Sequence, residues 1–188
     1  MAANLAHCSP PGPTCNTHHS KPQQPAYFST IIKTPLPNGY IRIELEHQVV
    51  VRLRFLIDET SLQTSPLDKS LPSNADQLIV ELRQYFSDPT ARFNVPRKAS
   101  GTSFQHRVWQ AINAIPCGET RSYGQLAKQL HTSPRAVGGA CRANPLPLIV
   151  PCHRVISASG GNGGFLGQPA TQGMSADIKH WLLCHEQH

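Results

Sequence analysis

Read for apolar periodicity, the chain first offers two β-rich runs, Tyr27–Thr34 and Tyr40–Leu56, the second alternating in part at Ile41, Ile43 and Leu45. Pro35, Pro37, Asn38 and Gly39 punctuate them as a turn, which predicts a hairpin or small sheet. The period then becomes helical. Leu78, Ile79, Leu82, Tyr85 and Phe86 fall on one face of a segment that Ser73 or Asn74 can cap. No side chain in this first half stands out as chemical. After a polar stretch near Pro96–Gly101 the pattern turns helical and stays so, beginning with a helix that Ser103 can cap. Its stripe of Phe104, Val108, Trp109 and Ile112 reads as core, and a second domain is expected to start here.

Helix punctuation is sharper further on. Ser122-x-x-Gln125 is a capping box opening a short helix through Leu130, and His131, Thr132 and Ser133 form a turn. Ser133 can cap a second helix with Pro134 in its first position, and Asn144-Pro145 stops it. This is a helix-turn-helix, a motif that serves plain packing as often as DNA binding. Gly138 and Gly139 lie inside the second helix, where each costs about 1 kcal/mol against Ala. Close approach of another backbone, either the partner helix or a nucleic-acid strand, would compensate. Arg135 and Arg142 on the same element favour the strand.

Charge adds to that picture. The formal net charge is +6, and from Arg121 to Arg154 the basic residues Arg121, Lys128, Arg135, Arg142 and Arg154 meet no acid. Such a stretch is the footprint of a polyanion partner or, more blandly, a solvated basic face. With 188 residues and 39% hydrophobic content the chain is globular, of one or two domains. No run of eighteen apolar residues spans a membrane, and nothing near the start resembles a signal peptide, so the cytoplasm is expected. Residues 1–25, without periodicity, read as a disordered leader; its His7, Cys8, Cys15, His18 and His19 are side chains that can bind a metal, but they match no common metal-site spacing.

The six cysteines read as reduced thiols without a Cys-x-x-Cys pair. Cys117, Cys141 and Cys184 read as small buried hydrophobes. Cys152 differs. The apolar run Leu146–Val150 ends in Pro151 and delivers Cys152-His153-Arg154, where positive neighbours should lower the thiol pKa from about 8.5 toward neutrality. In an extended segment adjacent side chains diverge, so a water or a tight turn must join Cys152 to His153. A Cys-His peptidase and an inert buried cysteine both remain open from these residues alone.

The run Arg135-Ala-Val-Gly-Gly-Ala-Cys-Arg-Ala-Asn144, continuing through Pro151-Cys152-His153-Arg154-Val155, resembles the signature of the O6-alkylguanine-DNA alkyltransferases. Phe104–Val155 and the terminal Trp181-Leu-Leu-Cys-His-Glu186 also resemble that family. The resemblance implies an α+β protein of two domains: an RNase H-like α/β domain at 26–98 and a helical domain at 99–188 with a winged or plain helix-turn-helix at 122–144. It implies direct-reversal repair, in which Cys152 takes the alkyl group from O6-alkylguanine, with O4-alkylthymine as a second base, once and without cofactor or metal. Duplex DNA is the implied partner, bound by a monomer that can cluster on it, in the cytoplasm or a eukaryotic nucleus.

The same resemblance assigns roles. His153 would take the thiol proton through a water, Glu186 would orient His153, and Asn144 would brace the hinge between helix and active-site strand. Tyr123 would hydrogen-bond the base and help turn its phosphate, and Arg135 would fill the gap left in the stack. Ser122, Ala136, Gly138, Gly139 and Arg142 would complete the DNA-binding face, and Val155, Phe165 and Gly167 the substrate pocket. The family's usual Gly-Tyr-x-Gly-Gly-Leu is replaced here by Gly164-Phe165-Leu166-Gly167 and a polar stretch, Gln168–Asp177, so Phe165 can stack on a base but lacks a hydroxyl.

Overall fold

A computed structural model of the chain describes residues 27–37, 39–56, 72–158, 161, 163–167 and 173–187. The leader and its His and Cys residues lie outside the described residues. Strands β1 (Tyr27–Lys33), β2 (Tyr40–Glu46) and β3 (Val49–Phe55) form an antiparallel sheet in that order. The expected second run is thus two strands. His47 and Gln48 both take positive φ, 46° and 68°, and so make the two-residue turn that matches strand twist. Neither residue type advertises that conformation, which is why the run reads as continuous.

Ile41, Ile43, Leu53 and Phe55 point inward from the sheet onto α1 (Ser73–Ser87), which returns Leu78, Leu82 and Tyr85. Neither Ser73 nor Asn74 caps α1. Pro72 occupies the cap position without a side-chain bond, and the Asn74 amide instead donates to the Gln48 carbonyl at 2.6 Å, tying the helix to the hairpin. α2 (Ser103–Asn113) starts one residue earlier than its expected cap implies: Thr102 forms a reciprocal capping box with Gln105, and Val108, Trp109 and Ile112 are buried.

The capping reading holds at the next two helices. Ser122 and Gln125 box the start of α3 (Tyr123–Gln129), and Ser133 accepts from the Ala136 amide to start α4 (Pro134–Arg142). His131, at φ 52°, turns the chain between them. α2 braces the pair from behind: the Trp109 indole donates to the Ala140 carbonyl at 2.9 Å, and Arg107 to the Leu130 carbonyl at 3.1 Å. This half is not wholly helical, because β4 (Arg121–Ser122) pairs in parallel with β5 (Val155–Ile156). α5 (Met174–His185) closes the chain.

The fold is therefore mixed α and β, and the buried residues of both halves join in one continuous apolar cluster. Phe55 of β3 meets Phe165 at 5.9 Å between ring centroids, and the Leu53 amide donates to the Pro145 carbonyl at 2.9 Å. Among the described residues no helix is long and apolar enough to cross a membrane.

Candidate functional site: a buried thiol, its histidine and an open cavity

The segment before Cys152 is folded back rather than extended. Leu148 takes φ 74°, the Val150 amide returns to the Leu146 carbonyl at 2.8 Å, and Cys152–Arg154 form a single 3₁₀ turn. Asn144 holds this knot together. Its Oδ1 accepts the Leu146 amide at 3.0 Å, while its Nδ2 donates to the Val150 carbonyl at 2.9 Å and to Cys152 Sγ at 3.3 Å. Where a hinge between helix and strand is the expected place of Asn144, its side chain bonds within a tight turn and reaches the thiol itself. Of the two alternatives expected at Cys152 and His153, a water or a tight turn, the chain takes the turn.

Behind the turn both oxygens of the Glu186 carboxylate are engaged. His153 is completely buried, and its Nε2 lies 2.8 Å from Glu186 Oε1. Arg154 grips the same carboxylate with Nε on Oε2 at 2.8 Å and Nη2 on Oε1 at 2.9 Å, and places Nη1 on the Ile115 carbonyl at 2.6 Å. Tyr85, arriving from α1, donates its hydroxyl to Glu186 Oε1 at 2.8 Å. Burial alone would raise the Glu186 carboxyl, but the hydrogen bonds from His153 and Arg154 hold it well below the usual range. Glu186 is ionised and only accepts, so His153 carries its proton on Nε2. His153 Nδ1 is then a bare acceptor, buried without a partner among the described residues. Burial outweighs Glu186 and keeps this imidazole below its ordinary value, hence neutral. Gly118 makes room for the arrangement: at φ 78° it lets the loop after α2 come so near that a Cβ would meet the Glu186 carbonyl at 2.9 Å.

The thiol itself departs from expectation. Burial pushes Cys152 above its ordinary value, with Asn144 and Lys179 pulling the other way. The guanidinium beside it in sequence does not help, because the 3₁₀ turn sends Arg154 back to Glu186. The cation that acts on the thiol is Lys179, fully buried on α5, whose Nζ donates to the Val155 carbonyl at 2.6 Å. Burial pulls its ammonium down to about 8. Sequence reasoning missed it, although a lysine among Ser175, Ile178 and Leu182 in the buried stripe of α5 is the kind of exception that marks a site. Tyr85 carried no such signal, since nothing local says where its hydroxyl goes.

In front of Cys152 lies a cavity of about 480 Å³. Of the expected residues, Tyr123, Arg135, Gly138, Gly139, Arg142, Phe165 and Gly167 line it with Cys152. Ser122 and Ala136 are engaged in the caps of α3 and α4. Val155 is not among the lining residues; its side chain is fully buried and its carbonyl holds Lys179. Phe165 is almost wholly buried against Phe55, leaving only part of it for the cavity wall. The Tyr123 hydroxyl donates to the Gly164 carbonyl at 3.2 Å, and burial raises its phenol, so it stays protonated.

Among the described residues a Cβ on Gly139 would meet nothing within 4 Å, and one on Gly138 would touch only Tyr123 at 3.9 Å. Packing against the partner helix therefore does not explain these glycines. The expected unopposed charge also shrinks, because Arg121 pairs with Glu119 at 3.2 Å and Arg154 turns inward, leaving Lys128, Arg135 and Arg142 exposed. Cys117, Cys141 and Cys184 are half-buried rather than core; Cys141 lines the cavity, its thiol pushed up to about 12 by burial. Among the described residues no group of three or more His, Cys, Asp or Glu could hold a metal.

A cysteine set between a buried His–Glu–Arg cluster and an open cavity under a helix pair defines a thiol-centred site on a mixed α/β fold. Residues 103–188 match the family model described as 6-O-methylguanine DNA methyltransferase, DNA binding domain. The methylated-DNA–protein-cysteine methyltransferase of Methanosarcina mazei is 44% identical over 109 residues, covering 57% of this chain and 65% of that protein. The one from Mycolicibacterium paratuberculosis is 37% identical over 140 residues, 72% of this chain and 84% of that protein. Mycobacterium tuberculosis OGT, solved in complex with DNA, superposes with a TM-score of 0.66 at 36% identity over 85% of this chain and 92% of that one. This chain belongs to the methylated-DNA–protein-cysteine methyltransferase family. Its match spans just under two thirds of several of these relatives, 65% of the Methanosarcina protein and 64% of the Salmonella typhimurium one.

Proposed function

We propose that the chain repairs alkylated DNA directly: Cys152 takes the alkyl group from O6-alkylguanine and keeps it. The observation that carries this reading is the position of Sγ, hydrogen-bonded by Asn144 and open to a cavity large enough for a base, with a neutral imidazole next in sequence. A buried thiol is a poor nucleophile until its proton leaves, and His153 Nδ1 is the free acceptor for it, reached through a water. As the proton goes to Nδ1, Nε2–H stays on Glu186, which stabilises the imidazolium. Lys179 and the Asn144 amide stabilise the sulfur as charge develops. Sγ then bonds to the alkyl carbon, the carbon–O6 bond breaks, and the guanine leaves with the electron pair. Tyr123, kept protonated and lining the cavity, assists that departure by turning its hydroxyl from the Gly164 carbonyl to the leaving oxygen. The thioether has no route back, so each molecule acts once, needing neither cofactor nor metal.

The base reaches the cavity only outside its stack. We assign α3 and α4 as the DNA-binding helix-turn-helix of a 99–188 domain, packed on an RNase H-like 26–98 domain. Exposed Arg135 on the cavity rim fills the space of the extruded nucleotide. The protein acts as a monomer wherever the cell keeps its DNA. The test is an intact-mass measurement after incubation with duplex DNA carrying O6-methylguanine. One methyl per chain, mapped to the Cys152 peptide, is the expected result; no gain, or a methyl on another cysteine, refutes the reading.

A further inference from the structure

The thiol, its base and the carboxylate all lie in the second half of the chain, yet one hydrogen bond reaches this cluster from the first. We propose that Tyr85 is a positioning residue for alkyl transfer: its phenol fixes the Glu186 carboxylate and limits how much negative charge that carboxylate offers His153. The inference rests on the alkyl-transfer reading above and adds a role for α1 within it.

Tyr85 is 2% exposed on the inner face of α1, with its hydroxyl 2.8 Å from Glu186 Oε1. That oxygen also receives His153 Nε2 at 2.8 Å and Arg154 Nη2 at 2.9 Å. Three donors on one oxygen compete for the same lone-pair density, so each weakens the others, and removing one strengthens the rest. Burial and the Glu186 charge hold the phenol above its ordinary value, so Tyr85 is protonated and only donates. The attachment has a second point: the Tyr85 carbonyl lies 2.8 Å from His185 Nε2, and the two rings meet edge to face at 5.3 Å. α1 thus grips α5 at the residue next to Glu186.

Other charged or titratable groups face the cluster from each element around it: Arg154 and Cys152 from the 3₁₀ turn, Lys179 and His185 from α5, and Cys117 from the loop after α2. Changing Arg154 or Lys179 alters net charge. Tyr85 is a neutral donor whose hydroxyl can be removed while its ring remains against Phe86 and Phe93. The bond is long-range, joining residues 101 apart in sequence, so docking of the first half is felt at His153 through two hydrogen bonds.

The experiment measures single-turnover methyl transfer from a short O6-methylguanine duplex, with the full chain at saturating concentration, across pH. His153 must be neutral to take the thiol proton, so the rate falls on the acid side as the imidazole protonates. Tyr85→Phe frees Glu186 to attract the imidazolium more strongly, and the acid limb should move to higher pH by about 0.5. 3-Fluorotyrosine placed at position 85 is a stronger donor and should move the limb to lower pH. This arm decides the question alone if Tyr85→Phe fails to fold. Phe93→Leu, which loosens the Tyr85 ring without touching the carboxylate, should lower the melting temperature and leave the limb in place. Coincident limbs for wild type and both position-85 proteins overturn the proposal, as does a limb that moves equally in Phe93→Leu. Wild type that takes up no methyl overturns the alkyl-transfer reading itself, a result distinct from active protein with unmoved limbs.

Discussion

The two sides of the Cys152–Arg154 turn are built on opposite rules. Behind it every oxygen of Glu186 is occupied, by His153, Arg154 and Tyr85, and the groups are buried. In front are a cavity, two glycines and exposed arginines, with few internal bonds. On the proposed reading, the bonds behind fix where the sulfur and its base stand before substrate arrives, and vacancy in front leaves the contacts to be made by the substrate. Substitutions behind should therefore damage stability and chemistry together, and those in front should impair DNA-dependent steps without destabilising the free protein.

The largest effect is expected at the boundary. Cys152→Ser should abolish alkyl uptake, by more than about 1,000-fold, because a hydroxyl lacks thiolate nucleophilicity. Duplex affinity, measured by fluorescence anisotropy, should match wild type, since the front surface is unchanged. Uptake near the wild-type rate would remove Cys152 from its role.

Next comes the back. Glu186→Gln leaves Arg154 partly buried without its counter-charge and should cost about 3–5 kcal/mol in urea unfolding. pH sharpens the test. Because the folded state holds this carboxyl below its ordinary value, its contribution is fully present above the unfolded value of about 4.3 and is lost as pH falls below that. Neutral, buried His153 acts in the same direction, since only the unfolded chain gains its proton readily below about 6.5. Wild type should thus lose stability on acidification faster than Glu186→Gln, and the two curves should converge. A constant gap down to pH 3 would mean that Glu186 acts by shape and not by charge.

Arg135→Ala probes the front. If Arg135 fills the space of an extruded nucleotide, its loss removes part of what offsets an unstacking cost of a few kcal/mol that arises only in duplex. Transfer at saturating duplex should fall by about 10- to 100-fold, while reaction with free O6-benzylguanine stays at the wild-type rate. A simple phosphate contact behaves otherwise: saturating DNA restores the rate, and the salt slope drops by about one.

The same division governs what the sequence reveals. The front is written in local signals: the Ser122–Gln125 box and Pro134 after Ser133 each announce a helix within four residues, and both helices stand where they point. The back depends on contacts across the chain. Glu186 reaches His153 over 33 residues and Tyr85 over 101, and no periodicity encodes such a meeting. Adjacency misleads there too: Arg154 follows the reactive pair directly, yet a single 3₁₀ turn points it away from the thiol, and Lys179 takes its place. In the first half the His47–Gln48 turn hides because its backbone carries what the side chains do not advertise.

The smallest effect tests whether vacancy in front is kept for a ligand. Gly139 lies on an exposed face of α4, at the cavity, and a methyl there would meet no atom of the described residues within 4 Å. Its helical position costs about 1 kcal/mol relative to Ala, so Gly139→Ala should stabilise the free protein by about 0.5–1 kcal/mol. In urea this appears as a higher midpoint with an unchanged slope. If a DNA strand approaches this helix as closely as the bare backbone allows, the added methyl stands in its way, and duplex affinity should fall by about threefold to tenfold. Stability and binding would then move in opposite directions in one variant, an outcome that neither general damage nor improved helix formation produces. A Gly139→Ala protein that gains stability and still binds duplex like wild type would show that the strand does not run over this face, and the assignment of α4 as the helix against DNA would have to be withdrawn.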